Sequence, residues 1–129
     1  MKNNLGKIKN IAKDIYKTLG SGHQEAVYDK AMQVGLRLAK IKYENQKVIE
    51  LKYKDHSVGE VYPDLVVHLN GGKIVVELKA VSGEMGAAEE QQLKNYMRTL
   101  KIKQGLLINF QQPGRREGKT KLEIKDIKI

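Results

Sequence analysis

Residues 60–81 read EVYPDLVVHLNGGKIVVELKAV, and the fold turns on this stretch. Two runs rich in β-branched residues, Glu60–Leu69 and Lys73–Val81, flank Asn70-Gly71-Gly72, the composition of a strand, a tight turn and a returning strand. Side chains alternate faces along a strand, so Glu77 and Lys79 point one way while Val76, Leu78 and Ala80 point into the opposite layer. A two-residue turn on Asn70-Gly71, a favoured type I′ pair, sets Leu69 against Gly72 and Asp64 against Glu77. A turn on Gly71-Gly72 instead sets Asp64 against Lys79, with Glu77 as diagonal neighbour. Both registers gather Asp64, Glu77 and Lys79 on one face, whereas a three-residue turn would pair Asp64 with Leu78 and scatter them.

Two carboxylates directly opposed, with Cβ atoms roughly 4.5–5.5 Å apart, repel each other and make a poor structural choice unless a cation sits between them. Oxygen ligands with neither sulfur nor histidine beside them favour Mg²⁺ or Mn²⁺, ions that keep several waters and also grip phosphate oxygens. Lys79, two residues beyond Glu77, is placed to hold a water or to neutralise charge developing on a phosphate. A lone Glu-x-Lys on a strand is ordinarily a solvated face. Pro63-Asp64 at matching parity on the neighbouring strand sets this one apart.

Outward from the hairpin the period changes. Leu5, Ile8, Ile11, Ala12, Ile15 and Leu19 recur at helical spacing, and Gly20 follows as a stop. Ser21 and Gln24 stand in capping-box spacing ahead of Val27, Ala31, Val34, Leu38 and Ile41, so a second helix is expected to start near Gly22. Val48–Lys54 reads as a strand separated from Glu60–Leu69 by Asp55–Gly59, which makes three antiparallel strands in succession. Met85, Ala88, Leu93, Met97 and Leu100 return to helical spacing; Gly105–Phe110 is a short apolar run, and Leu122–Ile129 alternates imperfectly. The expected order is α-α-β-β-β-α-β-β, an α/β chain. Gln111–Thr120, with Pro113, two glycines and Arg115-Arg116, reads as a mobile basic loop.

A length of 129 residues suits one domain, 1–129, and the balance of 40% hydrophobic to 30% charged residues argues against disorder. The absence of cysteine excludes disulfide frameworks, thiolate zinc sites, iron–sulfur clusters and cysteine nucleophiles together. With no apolar run of about 18 residues and no apolar region in MKNNLGKIKN, the chain is expected to be soluble and cytoplasmic, with no membrane partner. The net charge of +9 sits at the ends: residues 1–20 hold five lysines against Asp14, residues 101–129 eight basic residues against three acids, and residues 21–100 eleven of each sign. Basic ends around a neutral middle suit a polyanion held by peripheral lysines around a carboxylate site; a solvated basic surface is the plain alternative.

Pro63-Asp64 followed by Glu77-Leu78-Lys79 resembles the signature of the PD-(D/E)XK nuclease superfamily, and Gly22-His23-Gln24-Glu25-Ala26-Val27-Tyr28 is similar to the pattern that names the GxxExxY family within it. The resemblance covers roughly residues 5–110 and includes Gly105–Phe110. It implies a restriction-endonuclease-like core, a central mixed sheet flanked by helices, and metal-dependent cleavage of nucleic-acid phosphodiesters, with DNA the favoured polymer. On that resemblance Asp64 and Glu77 match the metal-binding acids, Lys79 the motif lysine, and Glu25 the helical glutamate that adds a ligand or orients a water. By spacing alone Glu25 is a first-turn acid that complements a helix dipole. Tyr28, one turn on, either bonds that acid or packs. Ser21 stands where relatives carry proline, a departure expected to alter only the helix cap.

Gln92-Leu93-Lys94-Asn95-Tyr96 resembles the Q-x-x-x-Y element of exonuclease-like branches of the superfamily. Residues i and i+4 share a helix face, so Gln92 and Tyr96 either support Lys79 and substrate phosphate or form the polar border of the Leu93/Met97/Leu100 stripe. The histidines have no metal-ligand spacing, and no Walker-type loop is present. Arg115 and Arg116 are the expected sequence-independent phosphate contacts. Two function classes follow: a metal-dependent nuclease, and a nucleic-acid-binding or assembly module that keeps the fold without turnover. A homodimer presenting two sites is an arrangement that apolar residues of the first helix or last strand would support, unless they close the chain's own core.

Overall fold

The computed structural model describes residues 2–114 and 120–129. Helices α1 (Lys2–Leu19) and α2 (Glu25–Leu38) precede β1 (Tyr43–Asn45), β2 (Ile49–Tyr53), β3 (His56–Val61), β4 (Leu65–Leu69) and β5 (Gly72–Lys79). Then come α3 (Ala87–Leu100), β6 (Gln104–Asn109) and β7 (Glu123–Lys128). The main sheet runs β1-β4-β5-β6-β7, and β2 and β3 form a separate hairpin. Only β5 and β6 pair in parallel among the described strands, and α3 supplies the crossover that a parallel pair requires. This is the α/β, restriction-endonuclease-like architecture that was expected, with a mixed central sheet between helices.

The strand period decides the layers. Ile74, Val76 and Leu78 of β5 enter one core with Ile8 and Ala12 of α1 and Tyr28 and Met32 of α2. Val75, of opposite parity, enters a second core with Leu93 and Met97 of α3 and Ile49 of β2. A strand covered on both faces reads as a near-continuous apolar run, as Ile74–Val76 does. The apolar face of α1 is spent inside the chain: Ile8, Ala12 and Ile15 are buried, the alternative to a dimer contact raised above. Among the described residues no helix is long and apolar enough to cross a membrane.

The order differs from expectation by two strands. Glu60–Leu69 is not one strand: β3 ends at Val61 and β4 begins at Leu65. Pro63 between them has no N–H to give a ladder, and there the chain leaves the hairpin for the main sheet. Asp55–Gly59 is not a separator. The turn is Lys54-Asp55, both with positive φ (48° and 66°), and His56 already opposes Tyr53; this, rather than Asn70-Gly71, has the φ signs of a type I′ turn. Strand β1 is three residues long, too short to show a period. The second helix begins at Glu25 with Gln24 as an N-cap that makes no side-chain bond. Ser21 does not cap it and instead shares a hydrogen bond with Thr120 (3.0 Å).

Candidate active site

Strands β4 and β5 pair with Leu69 opposite Gly72 and Leu65 opposite Val76, the register of a turn on Asn70-Gly71. Gly71 takes φ of 95° while Asn70 stays negative, so the turn has this register without the type I′ form. One step beyond Leu65, Asp64 meets Glu77. The Asp64 backbone N–H donates to Glu77 Oε1 (2.7 Å), and the Leu78 N–H donates to Asp64 Oδ2 (2.8 Å). Each acid accepts a backbone hydrogen bond from the other's strand, which offsets part of the repulsion that opposed carboxylates carry.

The remainder shows in their ionisation. Glu77 is 4% exposed. Burial, and after it the charge of Asp64, pushes the Glu77 carboxyl up to about 8, against the Asp64 N–H and Lys79. Burial also pushes Asp64 up to about 6, opposed by the Leu78 N–H and reinforced by the carboxylates of Asp29 and Glu25. Two hard oxygen donors that the fold hinders from ionising fit a divalent cation, whose charge would relieve both. Among the described residues no group of three or more His, Asp or Glu side chains is assembled to hold a metal. The structure thus brings Asp64 and Glu77 together without assembling Glu25 into a three-carboxylate group with them.

Two layers contribute to the site. From the α3 side, Lys79 Nζ donates to Gln92 Oε1 (3.3 Å), and Gln92 Nε2 donates to the Tyr96 hydroxyl (3.0 Å). Tyr96 is buried, and its hydroxyl is held above its usual range by burial and then by the charges of Glu77 and Asp64. Gln92 and Tyr96 therefore reach the surroundings of the acid pair in addition to bordering the Leu93/Met97 stripe. From the α2 side, Glu25 and Asp29 line a cavity of about 310 Å³ with Asn45 and Asp64. Lys79 is fixed through its backbone, which opposes Asn109 in β6 and accepts from the Phe110 N–H (2.9 Å).

The GxxExxY-like motif divides its work. Tyr28 packs: it is fully buried, stacks on Phe110 at 4.3 Å between ring centroids, and donates to the Gly20 carbonyl (2.6 Å). Gly22 takes φ of 97° and donates its N–H to the Gln111 carbonyl (3.2 Å), docking the α1–α2 turn onto the end of β6. Glu25 is left exposed at the first position of α2, facing the cavity. Arg115 and Arg116 lie outside the described residues.

Two residues of the site went unnoticed in the sequence. Asp29 accepts from Gln33 Nε2 (2.6 Å) and Asn45 Nδ2 (3.1 Å), and the same Asn45 amide donates to the Asp64 carbonyl (3.1 Å). Its signal was the Glu25/Asp29 spacing of i and i+4, a like-charged helix pair that ordinarily costs a few tenths of a kcal/mol. Asn109 is fully buried; its Oδ1 accepts from the N–H groups of Val81 (3.0 Å) and Gln111 (2.9 Å), and its amide donates to the Gly83 carbonyl (3.1 Å). A polar residue ending an apolar strand run was the clue, since buried polar groups need partners.

Comparison with known proteins agrees with the fold. The crystal structure of SSO0001 is similar in fold, with a TM-score of 0.59 at 14% sequence identity, over 80% of this chain and 48% of that one. The chain thus spans about half the length of that structure. No curated protein sequence matches it. The family model of the PD-(D/E)XK nuclease superfamily matches residues 2–122. That match takes in the acid pair, the motif lysine and all three described helices, and the chain belongs to the PD-(D/E)XK nuclease superfamily.

Proposed function

We propose that this chain is a divalent-metal-dependent nuclease that hydrolyses phosphodiester bonds, with DNA as the favoured polymer and the whole chain acting as one nuclease domain of the GxxExxY type. The observation that carries the reading is the pair of buried Glu77 and half-buried Asp64, bonded across the strands through the Asp64 and Leu78 N–H groups and both hindered from ionising. A core gains nothing from such a pair, and a non-catalytic descendant has no physical reason to keep it. In this reading Asp64 and Glu77 would hold Mg²⁺ or Mn²⁺, and Glu25 at the cavity rim would add a ligand only on moving inward, or orient a water from where it stands. Such an ion supplies Lewis-acid polarisation of the scissile phosphate and acidifies water at neutral pH.

The chain's own groups do the rest. Lys79 Nζ neutralises charge growing on the phosphate oxygens, and Gln92 steadies the ammonium by accepting a hydrogen bond from it. Tyr96 holds the Gln92 amide so that its oxygen faces Lys79. Asp29, tied to Asn45, keeps the Asp64 corner in place from the α2 side. Arg115 and Arg116 add phosphate contacts. A homodimer would have to use surfaces other than the apolar face of α1, and sedimentation at micromolar concentration tests for it.

Labelled single- and double-stranded DNA and RNA, incubated with Mg²⁺, Mn²⁺ or chelator, test the proposal. Cleavage is expected with either ion, none with chelator, and none by Asp64→Asn. Full nucleic-acid binding with no cleavage of any of the four polymers would favour the binding-module alternative.

A further inference from the structure

The lysines are unevenly served by acids. Lys9 pairs with Asp126 (2.8 Å), Lys47 with Glu44 (3.1 Å), Lys52 with Glu50 (3.5 Å) and Lys125 with Glu90 (3.4 Å). At the end of the sheet opposite the carboxylates the pattern changes. A cleft of about 350 Å³ is lined by Lys7, Lys40 and Lys42 with His68 and Asn70. Across the β4–β5 turn, a second cleft of about 510 Å³ is lined by Lys73, Lys101, Lys103 and Lys128. All of these lysines are exposed, none has an ionic partner among the described residues, and no acidic side chain lines either cleft. Glu44, outside both linings, is engaged by Lys47 and by His68 (3.4 Å), and the charge of Lys73 acts on it without an ion-pair contact.

Helix dipoles explain part of this. Helices α2 and α3 both end at this pole, and Lys40 and Lys101 follow their last turns, where cations are favoured. They do not explain Lys42, Lys73, Lys103 and Lys128, which stand on strands and connections. Nor does the pole surround the acids, as basic ends around a carboxylate site would. Four residues of β5 separate Lys73 from Glu77, about 13 Å at roughly 3.3 Å per residue. That is about four phosphates along one strand of a duplex.

We propose that this lysine pole is a second, sequence-independent contact for the backbone phosphates of a nucleic acid whose neighbouring segment lies at the carboxylate site. The inference rests on the nuclease reading for the identity of the polymer, and on the two unpaired lysine clefts for the contact itself. A substrate long enough to reach both ends of β5 gains phosphate contacts that a very short one lacks. The pole fixes how far the polymer extends along the protein and reads none of its bases.

The experiment measures binding in chelator, where cleavage plays no part. Affinity for a duplex of about 20 base pairs is followed against salt for the full chain, for the variant Lys42→Glu/Lys73→Glu/Lys101→Glu/Lys103→Glu, for its Gln counterpart, and for Lys13→Glu/Lys17→Glu on the outer face of α1. Each lost phosphate contact flattens the log–log slope by about 0.9, so the Glu variant should show a slope lower by about 3–4 and binding weaker by at least about tenfold at moderate salt. The Gln variant should move the same way by less, and the α1 control by no more than about twofold. Because the substituted side chains are exposed, circular dichroism of all variants should match the parent. An unchanged slope in the Glu variant overturns the proposal, as does a parent chain that ignores nucleic acid but binds anionic lipid vesicles through these lysines. A parent that binds with a pole-dependent slope in chelator yet cleaves nothing once Mg²⁺ or Mn²⁺ is supplied leaves the pole standing and removes the nuclease reading.

Discussion

Replacing Glu77 with Gln takes away a charge that the fold resists and keeps the Oε1 acceptor for the Asp64 N–H (2.7 Å). Burial, with the charge of Asp64 second, lifts the Glu77 carboxyl from 4.5 to about 8. Between those values the folded chain holds a proton that the unfolded chain has released, so wild-type stability falls as pH rises through that window. The fall is complete only above about pH 8. At about 1.36 kcal/mol per pH unit the shift is worth at most about 5 kcal/mol. Its repulsive part is shared with Asp64, so about 2–5 kcal/mol is the expectation for Glu77→Gln. Gln does not titrate. In chelator the two proteins should melt together near pH 4.5 and diverge as pH rises, with the variant higher by on the order of 10 °C at pH 8.5. Adding Mn²⁺ at pH 8 should raise the melting temperature of the wild type and leave the variant nearly unmoved. Melting curves that stay parallel from acid to base would show that Glu77 is not held against its ionisation, and the argument for a cation would lose its ground.

Asp64→Asn should abolish cleavage with the fold intact by circular dichroism, and Lys79→Ala should lower turnover by about 10²–10³ while affinity for DNA changes little, since one charge among many adds little to binding. Loss of affinity with turnover kept would make Lys79 a binding residue. Asn109→Ala deprives the Val81 and Gln111 N–H groups of their acceptor and should cost about 1–3 kcal/mol in urea unfolding. Gly105→Ala would set a Cβ 2.8 Å from Met97 Sδ and 3.1 Å from Leu93 Cδ2, and should destabilise by about 1–3 kcal/mol; a neutral result would mean that α3 shifts freely on the sheet.

How far the sequence could be read followed from how local each signal was. The β4–β5 pairing was legible because alternation and a two-residue turn are written within 22 residues, and they carried Asp64, Glu77 and Lys79 to one place. Gln92 and Tyr96 were legible as a pair because helical spacing is equally local. The strand break at Pro63 was missed because Glu60–Leu69 keeps its β-branched composition straight through the corner. Strand β1 left no trace, since three residues carry no period and its pairing with β4 is a long-range fact. Asp29 escaped for the same reason: its meaning lies in Asn45 and Asp64, which only the folded chain brings to it. The separation of unpaired lysines from the acids is also tertiary, because the ends of α2 and α3, the β4–β5 turn and the end of β7 meet at one pole.

The most direct test of the central claim is an anomalous-scattering measurement on crystals of the chain soaked in Mn²⁺. A peak is expected within coordinating distance of the carboxylates of both Asp64 and Glu77, absent from crystals of Glu77→Gln soaked in the same way. A peak elsewhere, with the Asp64–Glu77 pair bare and its backbone bonds unchanged, would contradict that claim.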